Sequence, residues 1–130
     1  MKKQILTFAA LAIINATAIF AADNDKVMQK LSDGTYVVNT TTLAADVRGF
    51  KGATPLEVHI KKDKIVKVAA LKNKETPRYF SRVEKEMLPK YGKRKISKAS
   101  EVDGVTGATF SSRAVKANVE AALKYYKANK

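Results

Sequence analysis

The chain has 130 residues and carries 25 Lys and Arg against 12 Asp and Glu, a formal charge of +13. That length suits one domain with one modest core. The absence of cysteine excludes disulfides, thiolate metal sites, c-type haem attachment and cysteine nucleophiles, and the single histidine excludes a paired-histidine haem within one chain. Any redox chemistry then falls to an organic cofactor. The charge favours an anionic partner, whether nucleic acid, a lipid or cell-wall surface, or an acidic redox protein; the plainer reading is a solvated surface.

Met1-Lys2-Lys3 is a basic start, residues 5–14 are apolar apart from Thr7, and the small residues Ala16-Thr17-Ala18 and Ala21-Ala22 follow. This order predicts a secretory signal peptide over residues 1–22 and a mature domain over residues 23–130. Cleavage is expected after Ala18 or after Ala21, and an uncleaved anchor is the alternative. The apolar core is short for a membrane span. Loss of Lys2 and Lys3 with the leader takes the formal charge from +13 to +11. The protein is accordingly expected in the periplasm or outside the cell.

Residues 23–32 are largely polar. Asp33-Gly34 is a turn signal, Thr35-Tyr36-Val37-Val38 a first strand, and Thr40-Thr41-Thr42 a candidate extension of it. Gly49 and Gly52 bracket a second break. Leu56, Val58 and Ile60 alternate with Glu57, His59 and Lys61, the pattern of a half-buried strand. Lys62-Asp63-Lys64 is a tight charged turn, and residues 65–71 return, with Val66, Val68 and Ala70 expected on one face of an antiparallel hairpin. His59 falls among the outward positions and reads as a surface residue rather than a metal ligand or base.

Thr76 as N-cap and Pro77 at the first helical position predict a helix entry, with Phe80, Val83 and Met87 on one face and Pro89 and Gly92 ending it. Residues 90–98 form a basic run that reads as a solvated loop; with Tyr91 its aromatic interleaving is too sparse for a nucleic-acid patch. In the last segment Val115, Val119, Ala122 and Tyr126 recur at helical spacing, with Leu123 beside them. Asn118 interrupts that stripe. Arg113, Lys116, Lys124 and Lys127 are expected off it, and the helix is read as packing on the sheet. The fold class expected is α+β: a small antiparallel sheet with a short helix after the hairpin and a longer C-terminal helix.

Directly before the last helix stands Asp103-Gly104-Val105-Thr106-Gly107-Ala108-Thr109-Phe110-Ser111-Ser112. Small and hydroxyl-bearing residues here suit an ordinary helix cap, with Ser111 the better simple cap, and equally suit an anion site at the helix N-terminus. Asp103-x-x-Thr106-Gly107-Ala108-Thr109 resembles the flavinylation motif of the FMN-binding domain family. That family includes the flavin-bearing subunits of the sodium-pumping NADH:quinone reductase and of the Rnf complex. The resemblance runs from about residue 33 to residue 123 and includes the Gly-Thr-Tyr strand, the hairpin and a Glu75-Thr76-Pro77 segment.

The resemblance implies FMN as cofactor, joined by a flavin transferase to the Thr109 hydroxyl through a phosphoester, which makes the chain a phosphoprotein. It implies that Asp103, Thr106, Gly107 and Ala108 form the motif around the acceptor and that Glu75 and Thr76 line the flavin site. Thr106 stands where Ser is the commoner choice. In many members Gly-Leu-Gly follows the Glu-Thr-Pro segment; here Arg78-Tyr79-Phe80 replaces it, with Tyr79 or Phe80 as a candidate ring-stacking residue and Phe80 equally a core candidate.

The function expected is an exported flavoprotein that relays electrons, taking them from a membrane reductase and passing them to a downstream acceptor. No substrate-pocket motif or acid/base pair is evident, and no catalytic or metal-ligating residue is assigned. A role as a module of a separate reductase chain has the same sequence signature. The alternative is a non-redox basic exported protein that binds an anionic surface or polymer, and peripheral membrane contact fits either reading.

Overall fold

The computed structural model describes residues 27–49 and 51–130. The leader read at residues 1–22 lies outside the described residues. Four antiparallel strands, β1 (Met28–Lys30), β2 (Tyr36–Asn39), β3 (Leu56–Lys61) and β4 (Lys64–Ala70), form one sheet in the order β1-β2-β3-β4. A helix α1 (Pro77–Arg82) runs through a π turn (Val83–Met87) into a 3-10 turn (Leu88–Tyr91). A second 3-10 segment (Ile96–Glu101) precedes the long helix α2 (Thr109–Asn129). The architecture is α+β, as the sequence predicts.

The sheet's inner face is built by side-chain alternation. Met28, Val38, Val58 and Val68 pair in register across all four strands, and all four are buried. Leu56 and Ile60 flank that row on β3. Against it lie Val115, Val119, Ala122 and Tyr126 of α2, together with Phe80, Val83 and Met87 from the helix after the hairpin. One stripe of α2 is therefore spent on the sheet, and Arg113, Lys116, Lys124 and Lys127 are exposed.

Three features depart from the sequence reading. First, β1 pairs with β2 inside the stretch read as polar lead-in; three residues are too few to show a period. Second, Val66 does not share a face with Val68. Ile60 pairs with Ile65 but His59 pairs with Lys67, so Val66 is the extra residue of a β-bulge. The bulge flips the alternation: Ile65 turns fully inward and Val66 is 48% exposed. Third, the basic run is not a free loop. Ile65 donates its N–H to the Arg94 carbonyl and accepts the Lys93 N–H, both at 2.7 Å, so the run covers the edge of β4. Its lysines still point outward.

The β3–β4 turn has positive φ at both Lys62 (52°) and Asp63 (60°), the geometry a two-residue hairpin needs. Non-glycine residues there cost about 1–2 kcal/mol each. The Asp63 carboxylate offsets part of this: it accepts the Tyr126 hydroxyl at 2.6 Å and the Lys130 ammonium at 3.0 Å, pinning the end of α2 to the hairpin. Asn118, the polar break in the α2 stripe, accepts the buried Thr40 hydroxyl at 2.5 Å, and Thr40 in turn accepts the Leu56 N–H at 2.9 Å. Thr40 thus ends β2 rather than extending it.

Candidate functional site

The turn before α2 is pegged at every third residue. Val102, Val105 and Ala108 are buried, and the residues between them, Asp103, Gly104, Thr106 and Gly107, are exposed. Ala108 N–H donates to the Val105 carbonyl at 3.0 Å, closing a four-residue turn whose third member, Gly107, has φ +87°. Only glycine takes that position without strain. The Ser112 hydroxyl accepts the Val105 N–H at 2.9 Å and fixes the turn to the first turn of α2. Gly104 is required for this approach, since a Cβ there would lie 2.8 Å from the Ser112 Cβ.

The helix begins without a side-chain cap. Its N-cap is Ala108, and no side chain caps it. Ser111, expected as the simple cap, is buried inside the first turn and donates its hydroxyl to Glu75 Oε1 at 2.5 Å. Thr109 is the first helical residue; it is exposed, and its hydroxyl makes no hydrogen bond among the described residues. The turn therefore presents a hydroxyl at the positive end of a long helix, the position that favours a phosphate.

Glu75 ties this turn to two others. Its carboxylate accepts the Lys51 N–H at 2.6 Å as well as the Ser111 hydroxyl, and its own N–H donates to Asn73 Oδ1 at 2.9 Å. It is 6% exposed. Gly49 makes room for it: a Cβ there would sit 2.1 Å from Glu75 Oε1. The next residue, Thr76, is the N-cap of α1 with Pro77 following, as predicted, although its hydroxyl makes no cap bond.

Thr109 stands between two hollows. One, about 290 Å³, is lined by Thr76, Tyr79, Gly107, Thr109 and Phe110. The other, about 250 Å³, has Gly104, Thr106, Arg113 and Lys116 in its walls. Tyr79 (45% exposed) and Phe110 (60%) line the first hollow, with the Arg78 guanidinium 5.9 Å from the centre of the Tyr79 ring, whereas Phe80 is buried in the core. Of the residues expected around the cofactor, Thr76, Gly107, Ala108 and Thr109 line the first hollow and Thr106 the second. Asp103 is exposed outside both hollows, and Glu75 lies beneath the first, held by Lys51 and Ser111.

Sequence reasoning did not single out Phe110 or Arg82. Phe110 falls off the apolar stripe of its helix, a signal of exposure that was readable. Arg82 Nη1 would lie 3.4 Å from a Cβ at Gly107, a proximity between elements that no local pattern reveals. The donor set suits FMN. Exposed aromatic side chains stand on one side of the hydroxyl and cationic side chains on the other, and the turn at Gly107 carries no side chain.

A family model described as the FMN-binding domain matches residues 49–124. No curated protein and no solved structure matches the chain. The matched span runs from Gly49, which yields to the Glu75 carboxylate, through the Thr109 turn and most of α2, and covers more than half of the sequence; the chain belongs to the FMN-binding domain family, and its cofactor is FMN.

Proposed function

We propose that this chain is an exported flavoprotein that holds FMN as a phosphoester on the Thr109 hydroxyl and relays electrons between a membrane reductase and a downstream acceptor. The observation that carries this reading is the Thr109 hydroxyl itself. It is exposed at the uncapped start of α2, makes no hydrogen bond among the described residues, and opens onto a hollow flanked by Tyr79 and Phe110. Thr106 faces the second hollow, and Ser111 and Ser112 are buried with their hydroxyls engaged, which leaves Thr109 the best placed of the four.

The flavin, when bound, supplies the redox chemistry. The protein's share is retention and placement. A phosphoester does not dissociate, so an exported chain keeps its cofactor at any dilution. The α2 N-terminus favours the phosphate, with Arg113 and Lys116 walling the hollow on its far side. Tyr79 and Phe110 are the exposed aromatic residues beside the hollow, against which a flat ring would pack. Both are open to solvent, which suits electron exchange with a passing partner better than conversion of an enclosed substrate. A flavin transferase is the transient third partner, and Asp103, exposed at the head of the turn, is part of what it reads.

Mass spectrometric peptide mapping of protein co-expressed with the transferase tests the assignment. FMN is expected on Thr109, lost in Thr109→Ala and partly kept in Thr109→Ser, whose nucleophilic oxygen survives. Because Thr109 caps nothing, the alanine variant should fold with a stability change within about 0.5 kcal/mol of zero. FMN on Ser111 or Ser112, or a Thr109→Ala band that still fluoresces after denaturation, overturns it. Export is checked by N-terminal sequencing, which should begin at Ile19 or Ala22; an intact Met1 terminus in the membrane fraction favours an anchor.

A further inference from the structure

Away from the Thr109 turn, a groove of about 610 Å³ runs between the 3-10 segment Ile96–Glu101 and the outer side of α2. Its floor is the outer edge of the core, where Ile96, Ala99, Val119 and Leu123 meet. Lys116, Lys124 and Lys127 line its α2 wall, and Glu120 is the one acid among the groove's lining residues. Among the described residues, ion pairs within 4 Å join Lys61 to Asp33, Arg82 to Glu86 and Lys130 to Asp63. Glu101, at the end of the facing segment, is already within 4 Å of both Arg94 and Lys98. The three groove lysines have no ion pair within that distance among the described residues.

We propose that this groove docks an acidic protein segment with an apolar anchor, belonging to a redox partner of the flavin carrier. The proposal rests on the electron-carrier reading for the partner's role, although not for the binding itself. Three unpaired cations around a small apolar floor call for carboxylates around a small apolar side chain. The concave shape suits an inserted segment better than a lipid surface. Tyr91, the aromatic ring lining the groove, is 1% exposed, so no stacking platform is offered to nucleic-acid bases. Little apolar area is exposed here, which makes the complex weak, transient and salt-sensitive, as electron-transfer encounters are.

The groove also shares a wall residue with the hollow at Thr109. Lys116 lines both the groove and the hollow that contains Thr109. Along α2 the two residues are about 10 Å apart at 1.5 Å per residue. A segment seated on Lys116 and Lys124 therefore places its parent protein beside the flavin-bearing turn without covering Tyr79 or Phe110, which lie on the first hollow.

The test is fluorescence anisotropy of a labelled synthetic helical peptide, with leucines along one face and glutamates on the others, titrated with the full chain at low and high salt. Two triple variants with equal charge change are compared: Lys116→Glu, Lys124→Glu, Lys127→Glu in the groove, and Lys67→Glu, Lys72→Glu, Lys74→Glu on exposed sites outside its lining. Each exposed pair is worth up to about 1 kcal/mol, so reversing the groove set should weaken binding about tenfold or more. The remote set should shift it far less, and added salt should weaken the wild type. Chemical-shift mapping on the wild type should centre on Ile96, Ala99 and Leu123, a readout that stands even where a triple variant misfolds.

Equal weakening by both triples, shifts centred elsewhere, or capture by phosphatidylglycerol vesicles without capture by the peptide would overturn the proposal. Thr109→Ala separates the two readings. It should be colourless yet bind the peptide as the wild type does. Failure of the flavin reading leaves a colourless wild type with peptide binding intact; failure of docking leaves a yellow protein whose binding does not localise to the groove.

Discussion

The Glu75 carboxylate accepts the Ser111 hydroxyl at 2.5 Å, joining two buried residues 36 positions apart. Through this contact the segment before α1, the loop at Lys51 and the first turn of α2 become one unit, with Thr109 two residues from the junction. The start of α2 has no side-chain cap, because its N-cap is Ala108, which has no side-chain acceptor to offer, and Ser111 lies inside the first turn.

Glu75→Ala should therefore damage the flavin turn without touching the acceptor oxygen. It removes the partner of a backbone N–H and of a buried hydroxyl, and hydrogen bonds to a charged group are each worth roughly 1.5–3 kcal/mol. We expect a loss of about 2–4 kcal/mol in denaturant unfolding and incomplete flavin loading. Glu75→Gln keeps an acceptor for one donor only and should fall between. Wild-type stability in Glu75→Ala would show that neither bond contributes.

Gly107→Ala probes the glycine turn. At φ +87° an alanine costs about 1–2 kcal/mol, and its Cβ would come within 3.4 Å of Arg82 Nη1. The expected outcome is a modest fall in Tm with a larger fall in covalent flavin, read as the ratio of flavin to protein absorbance. A loading defect without any fall in Tm would mean that the transferase reads the glycine directly.

Asn118 links the long helix to the end of β2. In Asn118→Ala the buried Thr40 hydroxyl loses its acceptor and a cavity opens beside Leu56. The expected cost is about 2–4 kcal/mol by thermal or denaturant unfolding. Flavin loading of the folded fraction should be unchanged, since Thr109 lies about two and a half turns away on the helix. A cost below about 0.5 kcal/mol would show the bond to be neutral.

Stability should fall at high pH. Burial, then the hydrogen bond to Asp63, pushes the Tyr126 phenol up to about 12, and burial does the same to Tyr91. Both are held neutral in the folded chain above the ordinary phenol value of about 10. Their contribution is complete below pH ~10 and is lost as the pH climbs from about 10 through about 12. Tyr126→Phe and Tyr91→Phe should each flatten the fall of Tm over that window. At the acid end, the Tyr126 hydrogen bond and Lys130 hold the Asp63 carboxyl below its ordinary value, so its contribution fades as the pH drops through that lowered value. Identical Tm–pH curves for wild type and both phenylalanine variants would refute the alkaline prediction.

Local chemistry made much of this protein legible from its sequence. The alternation of Leu56, Val58 and Ile60, the Thr76-Pro77 helix entry, the stripe from Val115 to Tyr126 and the Thr-Gly-Ala-Thr motif all act over a few residues, where side-chain period and backbone preference suffice. The family followed from the motif for the same reason. Tertiary structure alone decided what depends on distant partners. A three-residue strand at Met28–Lys30 exists because β2 offers it an edge. Val66 turns outward because one extra residue fits opposite β3. Asn118 is tolerated in an apolar stripe because Thr40, 78 residues away, needs an acceptor. Ser111 is not the helix cap because α2 starts two residues earlier, at Thr109, and the serine hydroxyl, buried in the first turn, donates to the buried Glu75 carboxylate. Where a polar group goes once it is buried is settled by which donors and acceptors packing brings together, and no local pattern carries that information.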